Sequence, residues 1–354
     1  MSEQTGGKLY AKAGYSCIFV PPLACKDDVQ KLPLDERVKN GTDINKLMVK
    51  AEADDEYAIS KRIREIPLSA NYFAVADSIC TPNPVQLEKD LDKCDILKGR
   101  KLGSEFRLLG MHYAGMPISD MKIDVGKFSL KDLMISLLEA GSLLNLYGVV
   151  HRDLHQGNIL VNKSGTPRII DFNLSIDIRK PVQIAELYHG HNINYFQEPP
   201  DSTLVNAIVG KYEPYSIIND LIEKKDLIRR IQSVLGIQYE SMRRDLVDFY
   251  KRSKSVQTGD MVEWFNNYWR KIDSWAIGAN IVYIVHFMSY NPRFLEGEKE
   301  EYRNKLLPVL KKLCEVSPLK RIDCVQALAY IDSGNHIIRG KKAVEWLKKV
   351  GSGF

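Results

Sequence analysis

The sequence has no Cys-x-x-Cys pair, no apolar signal core near its start, no apolar run long enough to cross a bilayer and no low-complexity tract. Each absence excludes a class of protein. The six cysteines (Cys17, Cys25, Cys80, Cys94, Cys314 and Cys324) are scattered through 354 residues. That spread argues against a zinc site or a disulfide frame and for reduced thiols, the usual state in the cytoplasm. The first stretch, MSEQTGGKLYAKAG, is polar, so no secretory leader is expected. The longest apolar run, WAIGANIVYIVHFM over 275–288, is too short for a membrane span and fits a helix buried on all sides. Charge imbalance is small as well: the net is +5, evenly spread. Surface solvation accounts for that charge, and no nucleic-acid partner or membrane is implied. What remains is the composition of an ordinary globular protein, long enough for one large domain or two lobes.

The first third has strand character. AGYSCIFV alternates and is stopped by Pro21 and Pro22, and DINKLMV over 43–49 reads as a second strand. Residues 53–66 have helical composition and end before Pro67. EFRLLGMHYAGMPI reads as a strand running into a small-residue bend at Ala114 and Gly115. From Leu130 the chain turns helical, with Leu133, Leu137, Leu138 and Leu144 at helical spacing. A strand-rich first part joined to a helix-rich remainder predicts an α+β chain of two lobes. Its parts are a small N-lobe over 1–111, a hinge over 112–116 and a large C-lobe over 117–354.

The densest chemistry lies in YGVVHRDLHQGNILVNKSGTPRIIDFNLS, residues 147–175. Two short apolar strands, ILV and RII, flank a turn, NKSGTP. Such a hairpin brings Asn158 and Asp171 to one side, with Asp153 in the loop before it. An Asn and an Asp are hard oxygen ligands suited to magnesium. A further Asp can accept a proton from a hydroxyl. Those roles together describe phosphoryl transfer, in which the protein positions and neutralises more than it reacts.

This stretch resembles the catalytic core of the eukaryotic protein kinase superfamily, His-Arg-Asp-x-x-x-x-Asn followed by Asp-Phe-Gly. The resemblance implies that Asp153 is the catalytic Asp, that Asn158 and Asp171 hold magnesium, and that Arg152 can bind an activation-segment phosphate. Ser175, Tyr188 and Tyr195 are the hydroxyl candidates for such a phosphate. His155 stands where protein kinases usually carry Lys; aminoglycoside- and choline-kinase-like enzymes and the haspin kinases share this feature. Asn173 replaces the Gly of Asp-Phe-Gly, and Asn tolerates the left-handed turn expected there.

The resemblance extends over about 9–330. AKAGYSCI resembles the phosphate-covering loop, with Ala11, Ala13 and Ser16 at its Gly positions, Ile18 at its Val position and Gly14 as an extra glycine. GYSCIFVPPLACK is similar to the corresponding hairpin of kinases from large nucleocytoplasmic DNA viruses. That likeness places the protein in a host-cell cytoplasm, with packaging in a particle left open. Lys46 is the expected phosphate-gripping lysine (rival Lys50) and Glu56 its helix partner (rival Glu52). The backbone of His112, Tyr113 and Ala114 would meet adenine between the lobes. Asp273 in DSWAIG is expected to cap a buried helix and hydrogen-bond the catalytic-loop backbone, and Arg321 to pair with Asp201 at the end of the activation segment. Residues 202–263 exceed the usual kinase length and read by default as a charged, solvated helical insertion, with a substrate or partner surface as the alternative. The resemblance implies an ATP- and Mg2+-dependent, Ser/Thr-directed protein kinase acting on a protein substrate, monomeric by default. The alternatives are a small-molecule phosphotransferase and a catalytically silent scaffold with a degraded Gly-rich loop.

Overall fold

The computed structural model describes residues 8–27, 44–85, 90–124 and 126–353. The chain divides into two compact units: residues up to 115 together with 170–173, and 116–169 together with 174–354. It mixes helix and sheet, with an antiparallel sheet in the first unit and a largely helical second unit. No helix among the described residues is long and apolar enough to cross a membrane.

The first unit is built on five strands, β1 (Leu9–Ala13), β2 (Ser16–Phe19), β3 (Ile44–Val49), β4 (Ser78–Cys80) and β5 (Phe106–Met111), in the order β1-β2-β3-β5-β4. The single strand expected over 13–20 is instead one arm of a hairpin turning at Gly14 and Tyr15. In it Ala11 pairs with Ile18 and Ala13 with Ser16. The strand expected over 43–49 is β3; residue 43 lies outside the described residues.

Alternation sorts the side chains of β2 and β3 to opposite faces. Cys17, Phe19 and Leu47 join one apolar cluster, and Ile44 and Met48 join another with Ala53. Ala53 belongs to helix α1 (Lys50–Arg64), whose buried residues Ala53, Glu56, Ser60 and Ile63 form one stripe at helical spacing. Lys46 shares its face of β3 with Ile44 and Met48, so it looks toward that stripe.

Four of the six cysteines correct the reduced-thiol expectation. Cys17 bonds Cys94 and Cys25 bonds Cys80, with Cα atoms 5.9 and 5.8 Å apart. The partners are 77 and 55 residues apart in sequence, so no local spacing announced them. Only Cys314 and Cys324 are free, both buried.

In the second unit, helix α2 (Leu130–Tyr147) starts at Ser129, whose hydroxyl accepts from the Asp132 N–H at 3.1 Å. It stops at Gly148, which has φ 70°, and a Cβ there would meet Ile178 at 2.8 Å. Strand β7 (Val149–Val150) follows and pairs with β10 (Ile176–Asp177). The expected hairpin is present as β8 (Ile159–Val161) and β9 (Pro167–Ile169), in register Ile159↔Ile169, with β6 (Met116–Pro117) on its other side.

The segment over 202–263 is not a solvated appendage. Helices α3 (Pro200–Val209), α4 (Pro214–Lys224), α5 (Asp226–Leu235) and α6 (Tyr239–Arg252) bury Leu204, Ile218, Leu221, Ile228, Ile231, Leu246 and Phe249 almost completely. Most of the charges seen in sequence occupy the other faces, with Lys225 buried as the exception. Helix α5 packs on helix α7 (Ile272–Met288), which is buried along nearly its whole length, as its apolar run required.

Candidate active site

In the first unit Lys46 is 5% exposed and Glu56 is equally buried, on facing elements. The Lys46 Nζ donates to Glu56 Oε2 at 2.8 Å and to Asp171 Oδ1 at 2.9 Å. Burial works against the Lys46 ammonium, but the Glu56 and Asp171 carboxylates outweigh it and its pKa is raised. Burial also pushes the Glu56 carboxyl up, against the pull of Lys46. The rivals separate by position: Lys50 and Glu52 are exposed at the start of α1. Asp171 has φ 63°, and Phe172 after it is buried edge-on against Phe73, with ring centroids 5.7 Å apart. The left-handed residue is therefore Asp171 itself and not Asn173, because the backbone turns at the aspartate so that Phe172 enters the core.

The segment expected to cover phosphates is a tight hairpin. Ala11, Ala13, Ser16 and Ile18 all sit in the strand ladder, and only Gly14 and Tyr15 lie at the tip. Ser16 is buried. After β5, His112 faces Asp77 with Nε2 3.5 Å from Oδ2, Tyr113 exchanges a 3.3 Å hydrogen bond with the Tyr10 hydroxyl, and Ala114 is buried.

In the second unit, β7 leads into the loop 151–158, which helix α7 holds from beneath. Asp273 accepts the His151 N–H at 2.7 Å and the Arg152 N–H at 2.9 Å. Burial raises the Asp273 pKa to about 6 despite those two donors. Asp273 lies inside the first turn of α7 and does not cap it; its carboxylate is committed to the loop. Asn280 donates to Leu154 O at 2.8 Å. Arg152 has φ 70°, and its guanidinium donates to Glu186 O at 2.6 Å and Leu187 O at 3.2 Å.

These anchors set Asp153. Its main-chain carbonyl accepts from Asn158 Nδ2 at 2.9 Å, and its Oδ2 receives the same nitrogen at 3.3 Å. His155 Nδ1 accepts the Gly157 N–H at 2.9 Å, so the neutral ring carries its proton on Nε2, which lies 3.9 Å from Asp153 Oδ2. Gln197 Nε2 donates to Asp153 Oδ1 at 2.6 Å. With its nitrogen spent on Asp153, Asn158 has its amide oxygen to offer a cation. Asp171, in the first unit, carries a carboxylate; amide and carboxylate oxygens are the hard donor types that magnesium takes. Among the described residues no cluster of His, Cys, Asp or Glu side chains could hold a metal on its own.

Arg321 and Asp201 form a completely buried ion pair at 2.7 Å. Arg321 also donates to the carbonyls of Glu315 at 2.8 Å, Lys271 at 3.1 Å and Val316 at 3.1 Å.

Sequence reasoning missed Gln197, Asn280 and the disulfides. Asn280 left a signal, as an amide inside an apolar run. Gln197, two residues before a Pro-Pro step, left none. No protein-family model matches the chain, and no curated protein matches it.

Proposed function

We propose that this chain is an ATP- and magnesium-dependent protein kinase of the bilobal kinase-like fold, directed at Ser/Thr hydroxyls and similar to kinases of large DNA viruses. The observation that carries the reading is the buried Lys46, bonded at once to Glu56 and to Asp171 from far along the chain. A desolvated lysine held by a helix glutamate is charged, oriented and suited to grip nucleotide phosphates. Asp171 and Asn158 would hold magnesium, which when bound neutralises charge on the phosphates. Asp153, with its carboxylate fixed from both sides, accepts the proton of the substrate hydroxyl. His155 Nε2 lies beside it, 3.9 Å from Oδ2, where most protein kinases place a lysine.

That histidine also supports a second reading, a phosphotransferase acting on a small hydroxyl compound. Arg152 and the Arg321–Asp201 pair favour a protein substrate, because they tie down the segment 184–201 that a peptide would meet, and Asp273 holds Arg152 in place.

The test compares Asp153→Asn with Asp171→Asn in a labelled-ATP transfer assay and in a thermal-shift assay with magnesium and ATP. Ligand at about 100 times its dissociation constant stabilises by roughly 2.7 kcal/mol. Asp153→Asn should keep that shift and lose transfer; Asp171→Asn should lose most of both. Wild-type transfer rates in both variants would end the kinase reading. Absence of any magnesium-ATP shift in the unmodified protein would favour a scaffold.

A further inference from the structure

The helices over 214–235 meet at Lys225, the residue between α4 and α5. Lys225 is 1% exposed. Its ammonium has no carboxylate within ion-pair distance among the described residues, and it donates instead to two main-chain carbonyls, Ile193 O at 3.1 Å and Tyr195 O at 2.6 Å. A lysine buried without an ion-pair partner is costly, and Met would fill the same space without that cost. What the ammonium adds is geometry, because both carbonyls belong to one short stretch.

That stretch presents Gln197. Tyr195 O, which receives Lys225, also accepts the Glu198 N–H at 3.3 Å and so closes the turn 195–198. The Glu198 carboxylate fixes the far side of the turn by accepting from the hydroxyls of Ser202 at 2.7 Å and Thr203 at 2.8 Å. His189 Nε2 lies 3.1 Å from the same carboxylate. From the turn, Gln197 Nε2 reaches Asp153 Oδ1 at 2.6 Å, while Asn158 holds the other side of Asp153.

We propose that Gln197 is a positioning residue for Asp153 and that Lys225 sets Gln197 in place, so that the helical segment 214–235 acts on the reacting carboxylate through the main chain of Ile193 and Tyr195. The inference rests on Asp153 being the acceptor of the substrate proton. It gives the extra helices a catalytic consequence: they supply the order that an activation-segment phosphate supplies elsewhere. The ionisable neighbours of the relay are His155 beside Asp153, and Arg152, His189 and Glu198 along the segment.

The test is a double-mutant cycle on kcat with Gln197→Met, Lys225→Met and both together, each change matching the original in length. Gln197→Met should lower kcat by about 10- to 100-fold, the cost of a misplaced reacting group. The ATP KM and the magnesium-ATP thermal shift should not move. Lys225→Met should lower kcat in the same direction, and the double variant should be no slower than Gln197→Met alone, because Lys225 acts through Gln197. Gln197→Glu, which sets a carboxylate against Asp153, should fall below Gln197→Met. Lys225→Gln replaces the Met variant if the latter does not fold. Multiplicative losses in the double variant, or unchanged kcat in Gln197→Met, would overturn the proposal while leaving an active kinase. A wild-type protein no more active than Asp153→Asn would overturn the kinase reading and this inference with it.

Discussion

Removing Arg321 should destabilise the second unit more than any other single ion-pair change. Its guanidinium is fully buried, bonded to Asp201 at 2.7 Å and to three main-chain carbonyls, and it lies 5.1 Å from the centroid of Trp275. Arg321→Ala strands a buried carboxylate whose other oxygen, Oδ2, already lacks a hydrogen bond. Breaking a buried pair from one side costs about 3–5 kcal/mol. For a unit of this size that is a fall in Tm of about 6–20 °C. Asp201→Asn is milder: the amide oxygen still accepts, and Arg321 keeps its carbonyls. The loss is the charge-assisted part, about 1.5–3 kcal/mol. Arg321→Met combined with Asp201→Leu should recover much of the loss, since no charge is then stranded. The readout is specific, because all four tryptophans of the chain, Trp264, Trp269, Trp275 and Trp346, lie in the second unit. Tryptophan fluorescence during urea or thermal unfolding therefore reports this unit alone. An Arg321→Ala protein as stable as wild type, or less harmed than Asp201→Asn, refutes the reasoning.

Other expectations follow from the same geometry. Arg152 already spends its guanidinium on Glu186 O and Leu187 O, so phosphatase-treated protein should keep its transfer rate; silence restored by phosphate on Ser175, Tyr188 or Tyr195 would contradict this. Burial lowers the Lys225 pKa to about 8, below its unfolded value, so the charged form carries a folding penalty of about 3 kcal/mol. That penalty is fully present below pH 8 and disappears as pH rises from about 8 toward 10.5. Wild type should thus gain stability relative to Lys225→Met across that window, and a constant difference would count against it. Reducing Cys17–Cys94 and Cys25–Cys80, which close 77- and 55-residue separations, removes up to roughly 4 kcal/mol each from the first unit. Circular dichroism melts with and without reductant should differ while the tryptophan transition stays fixed.

Local pattern determined a good deal. The β-forming runs of β2 and β3, the leucine spacing of α2 and the unbroken apolar run of α7 each specify an element, because such patterns are properties of neighbouring residues. The strands flanking NKSGTP were legible for the same reason. The stripe Ala53, Glu56, Ser60 and Ile63 was written in the sequence too, yet several acids and lysines surround it. Only packing separated Lys46 and Glu56 from Lys50 and Glu52, by burying one pair and leaving the other in water. The 202–263 segment misled because its charges are conspicuous and its apolar face emerges only when the helices are formed. Gln197 against Asp153, Lys225 under Tyr195 and the pairing of the cysteines join residues 30 to 77 positions apart. No local period encodes such contacts. They exist because burying the helices' apolar faces brings distant polar groups within bonding distance, and a buried polar group must then find a partner.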